Sequence, residues 1–332
     1  MAAITRTAGA STPNQLRPFD VRHDLNAVAD LVELCFAKTL DADGRRYIHQ
    51  MRSAARSHSY LLWAAAMAER VSLPLTGFVW EENGYLAGNL SLIPFNTFGR
   101  RIFLIANVAV DPAYRRRGIA RALTNTALEY VQKRGVDSVW LHVREENVAA
   151  LELYRSLGFE ERTRRTTWVS TPGEPQSIAF QANQELNSVR ITRRHSHFWS
   201  KQRIWLDRVY PVEIAWHMSF NLKMLHPGLL GALLRLISGT RIRQWAALRK
   251  GKLLGVLAWQ PLYAHSDHLW LATAPEHEDT AIRALLLHLQ RNLSYRRELS
   301  VEYSAEHGLQ AFEDAWFKIH QTLIWMEKKL KE

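Results

Sequence analysis

Residues 107–121, Asn-Val-Ala-Val-Asp-Pro-Ala-Tyr-Arg-Arg-Arg-Gly-Ile-Ala-Arg, decide the fold of this chain. An apolar strand ends in a proline turn, three arginines follow, and a glycine opens a helix. Such a junction points several backbone N–H groups and the positive end of a helix dipole at one spot. The stretch therefore predicts a strand–loop–helix junction that binds a phosphate-bearing ligand.

The residues around this junction predict a mixed α/β layer architecture. A short first strand precedes a helix, for which Asp24 is a candidate cap, and a second helical region runs over about 45–69. A hairpin follows, with its turn at Glu82-Asn83-Gly84. Further helices are expected after Gly118 and Asn147. The expected strands are 14–21, 75–81, 85–93, 102–110, 139–143, 159–163 and 166–170.

Two motifs carry a family resemblance. The first is Arg115-x-x-Gly118-x-Ala120, and the second is Asn147-x-x-Ala150-x-x-Leu153-Tyr154-x-x-x-Gly158-Phe159. Together with the element order, they resemble the GNAT superfamily of acetyl-CoA-dependent N-acetyltransferases. The resemblance covers about residues 15–170 and implies the GNAT fold and acetyl transfer to an amine.

The resemblance implies acetyl-CoA as co-substrate, with no metal. The amides of Arg116–Arg121 would cradle its pyrophosphate, and Gly118 would let the backbone approach closely. The end of the preceding strand would splay from its neighbour and hydrogen-bond the pantetheine arm. The expected cofactor-binding residues are Val108, Ala109, Val110, Arg115, Arg116, Arg117, Gly118, Ile119, Ala120, Arg121, Asn147 and Tyr154.

Tyr154 is the expected general acid, because its family counterpart protonates the departing thiolate. The alternative is a tyrosine that only packs on its helix. Asn147 would hold the cofactor arm or cap its helix, and the two roles are compatible. The fourth strand lacks an acid, so His142 on the fifth strand is the candidate base. Glu81 and Glu82 are further candidates if their hairpin reaches the cleft.

The second half repeats this order of elements after a shift of about 160 residues. Ile119–Leu123 aligns with Ala281–Leu285. In the shifted copy, Glu278, Asp279 and Thr280 replace Arg116, Arg117 and Gly118, while Phe312 replaces Tyr154 and Ala305 replaces Asn147. Acidic side chains repel a pyrophosphate, and phenylalanine has no proton to give. We therefore expect a second GNAT-like domain that does not bind acetyl-CoA in the usual way.

The predicted fold class is α/β, with two tandem GNAT-like (acyl-CoA N-acyltransferase) domains. Each would be a mixed, mostly antiparallel sheet flanked by helices. The expected segments are a disordered N-terminus at 1–14, a catalytic domain at 15–172, a linker at 173–186 and a degenerate domain at 187–332. This plan is similar to that of the mycothiol synthases, although there the C-terminal copy is the active one.

Composition narrows the other classes. The chain is 47% hydrophobic and 23% charged, as in soluble globular proteins. The single cysteine, Cys35, excludes an internal disulfide framework and a cysteine-based zinc site. The net charge of +11 is spread over both halves, with 22 Lys and Arg against 17 Asp and Glu through residue 170 (a net of +5), which leaves +6 beyond it. A basic solvated surface is therefore favoured over a nucleic-acid partner.

The expected location is the cytoplasm, because no apolar run has the length of a signal peptide or a membrane span. The apolar run Leu229–Ile237 is expected to be a buried helix, with a membrane-surface or partner contact as the alternative. The acceptor is an unidentified amine, and the oligomeric state stays open, a homodimer included. The alternative functions are a non-catalytic acyl-CoA-binding or regulatory module and an RNA-directed acetyltransferase.

Overall fold

A computed structural model describes residues 15–56, 76–97, 99–170, 184–216, 222–239, 241–261, 266–292 and 297–330. The chain divides into two compact units. The first comprises residues 1–162 and 325–332, and the second comprises residues 163–324. Within the described ranges, no helix is long and apolar enough to cross a membrane.

The first unit is a mixed sheet with helices on its faces. Strands β1 to β4 pair antiparallel in order, and β4 pairs with β5 in parallel. Its elements are β1 (Gln15–Pro18), α1 (Val21–Phe36), α2 (Ala42–Ala55), β2 (Thr76–Glu82), β3 (Tyr85–Thr97), β4 (Arg100–Val110), α3 (Ile119–Gln132), β5 (Ser138–Arg144) and α4 (Val148–Ser156). A strand β6 (Glu160–Ser170) follows, and its first residues belong to this unit.

The helices of the first unit cover opposite faces of its sheet. Leu25 and Val28 of α1 pack with Met51 of α2 over Val79 of β2. The other face meets α3 at Gly88, where a Cβ atom would lie 2.8 Å from Ile119 Cγ2. Side chains alternate between faces along a strand, so this glycine lets α3 approach the sheet closely.

The first helix is capped by Asp20, not by the expected Asp24. The Asp20 side chain accepts from the Arg22 amide. Asp24 is buried in the first turn and binds the Arg17 guanidinium through both oxygens, at 2.6 and 2.9 Å. Both acids suit a helix start. Arg17 on β1 binds Asp24, which leaves Asp20 as the cap.

The second unit repeats the topology of the first. Strands β7 to β10 pair antiparallel, β10 pairs with β11 in parallel, and β11 pairs antiparallel with the later part of β6. Its further elements are α5 (Gln184–Asn187), β7 (Val189–Arg193), α6 (Trp199–Val209), α7 (Val212–Ala215), α8 (Leu229–Ile237), β8 (Arg243–Arg249), β9 (Lys252–Gln260), β10 (Ser266–Thr273), α9 (Glu278–Asn292), β11 (Glu298–Ser304), α10 (Leu309–Asp314) and β12 (Lys318–Lys329).

Two strands, β6 and β12, have residues in both units. The sequence predicted contiguous domains at 15–172 and 187–332 instead. Residues 163–170 of β6 belong to the second unit, and residues 325–332 belong to the first. The expected disordered N-terminus at 1–14 and most of the linker at 173–186 lie outside the described residues. Within the linker, 184–187 forms α5.

The apolar run Leu229–Ile237 is a helix, as expected, but the expectation that it is buried was wrong. Leu229 is 90% exposed and Leu236 is 78% exposed. A helix that is apolar on all sides is ordinarily buried, but its sequence does not show whether the rest of the protein covers every side. The sequence therefore could not separate these two cases.

Candidate functional site

In the first unit, strands β4 and β5 separate before β4 ends. Their parallel pairing runs from Ile102 opposite Ser138 to Ile105 opposite Leu141. On its other side β4 remains paired with β3 as far as Val110 opposite Gly88. The second half of β4 therefore has a partner on one side and diverges from β5 on the other, which is the splay expected for Val108–Val110.

A bulge accompanies this divergence, and a polar cluster fixes it. Asn107 has a φ of +50° at the register shift between β3 and β4. Its Nδ2 donates to the Tyr47 hydroxyl at 2.9 Å, and its carbonyl accepts from Asn89 Nδ2 at 2.9 Å. Asn89 is buried and therefore needs a hydrogen-bond partner, which this contact supplies. Two neighbours thus hold Asn107 in the left-handed region and set the direction of the residues after it.

The arginine loop lies between β4 and α3. Arg116 and Gly118 both have positive φ values, +64° and +79°, and α3 begins at Ile119. A Cβ atom on Gly118 would have no heavy atom within 4 Å. The glycine is therefore required for its backbone conformation and not for lack of space. The first-turn amides of α3 lack intrahelical partners by the geometry of any helix start.

The arginines of this loop are exposed and differ in their contacts. Arg115 Nε donates to the Val110 carbonyl at 3.1 Å, and the Cys35 thiol donates to the same oxygen at 3.3 Å. Arg117 pairs with Glu82 at 2.9 Å, and its guanidinium lies 5.4 Å from the Tyr114 ring centroid. The Val110 carbonyl is therefore already engaged, while positive charge is concentrated around the start of α3.

The two sequence motifs meet between α3 and α4. Arg121 of α3 donates to the Ser156 hydroxyl of α4 at 2.8 Å. Asn147 caps α4 by accepting from the Ala150 amide at 3.2 Å, as one of its two expected roles requires. Tyr154 lies on α4, two residues before Ser156. The cofactor-binding assignments made from the motifs stay predictions, and the fold brings their helices into contact.

Tyr154 has the surroundings of a protonated hydroxyl. It is 6% exposed, and its ring packs edge-to-face on Phe159 with centroids 5.8 Å apart. Burial raises the pKa of Tyr154 well above its usual value of 10. We find no hydrogen-bond partner for its hydroxyl among the residues that the structure describes. The side chain therefore remains an acid at neutral pH, as the expected role needs.

His142 lies on β5 beyond the point where β4 diverges. Its ring stacks on Trp325, with centroids 4.0 Å apart and planes 27° apart. Trp325 is buried and belongs to the C-terminal residues of the first unit. The stack fixes the plane of the imidazole, and the role of His142 as a base stays a prediction. Glu81 and Glu82 are engaged with Arg17 and Arg117, respectively.

Sequence reasoning missed several polar residues near the loop. Tyr47 and Asn89, which hold the bulge, carry no local signal. Asp111 caps the proline turn by accepting from the Ala113 amide at 2.8 Å. It also accepts from the Tyr85 hydroxyl at 2.6 Å, and this bond raises the pKa of Tyr85 to about 12. Of these residues, only Asp111 could have been identified from the sequence, because the Asp-Pro pair at 111–112 is a common turn signal.

The counterpart of the arginine loop is missing from the second unit. There the 3-10 turn Pro275–His277 leads directly into α9 at Glu278. The Glu278 carboxylate accepts from Arg208 at 2.7 Å, Tyr303 at 2.6 Å and His307 at 2.9 Å. A carboxylate of the protein thus lies at the helix start that would have to receive a phosphate.

The strand gap of the second unit is closed by Tyr210. Strands β10 and β11 pair from Ser266 to Leu269 and then separate, as β4 and β5 do. The Tyr210 hydroxyl accepts from the Leu271 amide and donates to the Glu302 carbonyl, both at 3.3 Å. One side chain therefore bridges the two strands where a pantetheine arm would have to enter. Phe312, the counterpart of Tyr154 in the sequence repeat, is fully buried and stacks on Trp168.

Comparison with known proteins agrees with this geometry. Residues 38–159 match the Acetyltransferase (GNAT) family. The [Ribosomal protein bS18]-alanine N-acetyltransferase of Escherichia coli K12 is 48% identical over 73 residues, which are 22% of this chain and 49% of that protein. The mycothiol acetyltransferase of Thermobispora bispora is 50% identical over 56 residues, 17% of this chain and 19% of that protein. The chain thus spans about half the length of the first relative and about a fifth of the second.

Two solved structures match nearly the whole chain. A tandem GNAT protein from the clavulanic acid biosynthesis pathway covers 96% of this chain and 99% of its own, with a TM-score of 0.50 and 14% identity. A GCN5-related N-acetyltransferase from Sphaerobacter thermophilus covers 96% of both chains, with a TM-score of 0.55 and 14% identity. At these identities the likeness concerns the fold, and it confirms the predicted fold class. The chain therefore contains a domain of the acetyltransferase (GNAT) family, at residues 38–159.

Proposed function

We propose that the first unit transfers an acetyl group from acetyl-CoA directly to a primary amine, in one ternary complex. The observation that carries this proposal is the divergence of β4 from β5 beside a loop with three arginines and a left-handed Gly118. The divergence offers strand backbone to a pantetheine arm, and the loop offers amides and positive charge to a pyrophosphate. Both features occur in the first unit, and side chains fill their counterparts in the second.

The side chains of the first unit supply the proton transfers. The attacking nitrogen forms a bond to the thioester carbon, and the carbon–sulfur bond breaks. Tyr154 gives its hydroxyl proton to the departing thiolate, because burial keeps that hydroxyl protonated at neutral pH. His142 takes the proton that the amine loses, through a water molecule. Backbone groups of Val108 and Ala109 polarise the carbonyl.

The acceptor is a small-molecule amine or the amino terminus of a peptide or protein. A peptide with N-terminal alanine is the first acceptor to assay, because the Escherichia coli relative is named for an alanine acceptor. The N-terminal amine of a peptide has a pKa near 8, so a useful fraction is neutral at assay pH. A panel of small primary amines covers the other class.

The test uses the full chain and two readouts. Calorimetry measures acetyl-CoA affinity, and a thiol-reactive dye measures coenzyme A release with each acceptor. We expect Tyr154→Phe to lower kcat by about 100-fold or more while the Kd for acetyl-CoA stays the same. Tyr130→Phe is the matched control, because Tyr130 lies on α3 with its ring against Phe78 and Arg134.

The outcomes separate the proposal from its main alternative. Turnover that depends on Tyr154 supports the direct transfer. Tight acetyl-CoA binding without coenzyme A release for any amine in the panel would instead favour a non-catalytic acyl-CoA-binding module. An unchanged kcat in Tyr154→Phe, with turnover intact, would remove Tyr154 as the acid.

A further inference from the structure

The outer face of helix α8 is an apolar surface of the second unit. Leu229 is 90% exposed, Leu233 53%, Leu236 78% and Ile237 75%. Their spacing of four, three and one residues places all four on one side of the helix. Single exposed apolar residues are ordinary on protein surfaces, whereas a contiguous apolar stripe marks a contact surface.

The inner face of α8 is firmly attached to the turn before it. Gly231 is buried, and a Cβ atom there would lie 2.1 Å from the His226 carbonyl oxygen. The guanidinium of Arg235 donates to the carbonyls of Met224, at 2.5 Å, and His226, at 3.2 Å. The charged side chain of the helix is therefore directed back onto the protein. The four exposed apolar side chains belong to a helix that is fixed in place.

The segments that precede and follow α8 in the chain are basic. Residues 222–243 contain four Lys and Arg residues and no Asp or Glu. Lys223 precedes the helix in the chain, Arg241 and Arg243 follow it, and all three are exposed. An apolar stripe flanked by cations complements a surface that offers both hydrocarbon and negative charge, and a bilayer with anionic headgroups has both.

We propose that α8 binds an anionic lipid surface, with Leu229, Leu233, Leu236 and Ile237 inserted at the headgroup–acyl boundary and the flanking cations on the headgroups. A second copy of this chain would bring the same basic residues against each other, because a two-fold interface is self-complementary. Charge therefore favours the lipid over a dimer. The proposal is independent of the acetyl transfer, since it concerns residues of the second unit only.

The experiment is flotation of the full chain with vesicles of two compositions. One is phosphatidylcholine with one quarter phosphatidylglycerol, and the other is phosphatidylcholine alone. We expect binding to the anionic vesicles to be about tenfold stronger or more at low salt, and to weaken as salt rises. The double variant Leu229→Ser/Leu236→Ser should lose binding by at least about tenfold. Ile204→Ser is the matched control, since Ile204 is 66% exposed on α6 of the same unit.

Each outcome decides the proposal. Anionic-vesicle binding that the double variant loses and the control keeps supports it. Equal binding to both vesicle types, or no binding, overturns it. Light scattering tests whether the stripe binds a second copy of the chain instead. If the parent chain is a dimer that binds no vesicles, and the double variant is a monomer, the stripe serves self-association. Circular dichroism of the double variant shows whether the helix is retained.

Discussion

Replacement of Gly118 by alanine tests the loop at the start of α3. Gly118 has a φ of +79°, and a side chain there meets open space. The substitution therefore changes backbone preference and little else. Holding a non-glycine residue in the left-handed region costs about 1–2 kcal/mol. Gly99→Ala is a matched control, because Gly99 has a φ of +76° with equally open surroundings in the β3–β4 turn.

The cost at Gly118 must appear in one of two measurements. If the unbound loop keeps its conformation, the free energy of unfolding falls. If the loop relaxes, the cost appears when acetyl-CoA binds and restores the left-handed residue. The loop is exposed, so we expect relaxation. The Kd for acetyl-CoA should then rise about 5- to 30-fold in Gly118→Ala.

The assay pairs calorimetry with urea unfolding for both variants. Alanine also narrows the unfolded ensemble, which offsets about 0.4–1 kcal/mol of the unfolding cost at either position. The comparison between Gly118→Ala and Gly99→Ala removes this contribution. Gly99→Ala should leave the Kd unchanged. A Kd for Gly118→Ala within about twofold of the parent value, together with no loss in the free energy of unfolding, would refute a site that depends on this left-handed residue.

Three further substitutions test the other assignments. His142→Gln should remove the acidic limb of the pH profile of kcat/KM if His142 is the base, and an unaltered limb would exclude it. Glu278→Gln should lower the stability of the second unit by about 1–3 kcal/mol at pH 7, measured by urea unfolding, without changing acetyl-CoA affinity. Trp325→Ala should destabilise the first unit by about 3–5 kcal/mol and raise amide exchange in β5; unchanged exchange there would contradict the placement of Trp325.

The pH dependence of the Glu278 variant has a defined sign. Burial alone would raise the pKa of Glu278, but hydrogen bonds from Tyr303, His307 and Arg208 outweigh it and lower the pKa below 4.5. A carboxyl with a lowered folded-state pKa stabilises the fold above its unfolded pKa and loses this contribution as the pH falls. The stability difference between the parent chain and Glu278→Gln should therefore shrink below about pH 4.5. A difference that stays constant on acidification would contradict this network.

Local sequence signals predicted most of the fold. The Asn83-Gly84 turn has positive φ at both residues, as a two-residue hairpin requires. Helix α8 has the predicted bounds, and the left-handed Gly118 lies at the start of α3. Each of these depends on residues within one turn or one strand. A pattern of that range is visible without knowledge of the tertiary structure.

The parts of the site that the sequence did not predict depend on distant partners. The Tyr47 hydroxyl reaches Asn107 across 60 positions of the chain. Trp325 lies far along the chain from His142, yet their rings stack. Neither pair has a periodicity or spacing that marks it. The expected base could therefore be named, but the indole that orients its ring could not.

The last residues of the chain have a structural role in the first unit. Residues 325–332 belong to the first unit but follow the whole second unit in the chain. They supply Trp325 against His142, and the Leu330 amide donates to the Asp137 carbonyl beside β5 at 3.0 Å. A chain cut after residue 172 would lack these contacts even if every motif residue remained. Glu278 lies at the helix start of the second unit and Tyr210 bridges its strand gap, yet the chain that leaves this unit still supplies residues 325–332 to the first.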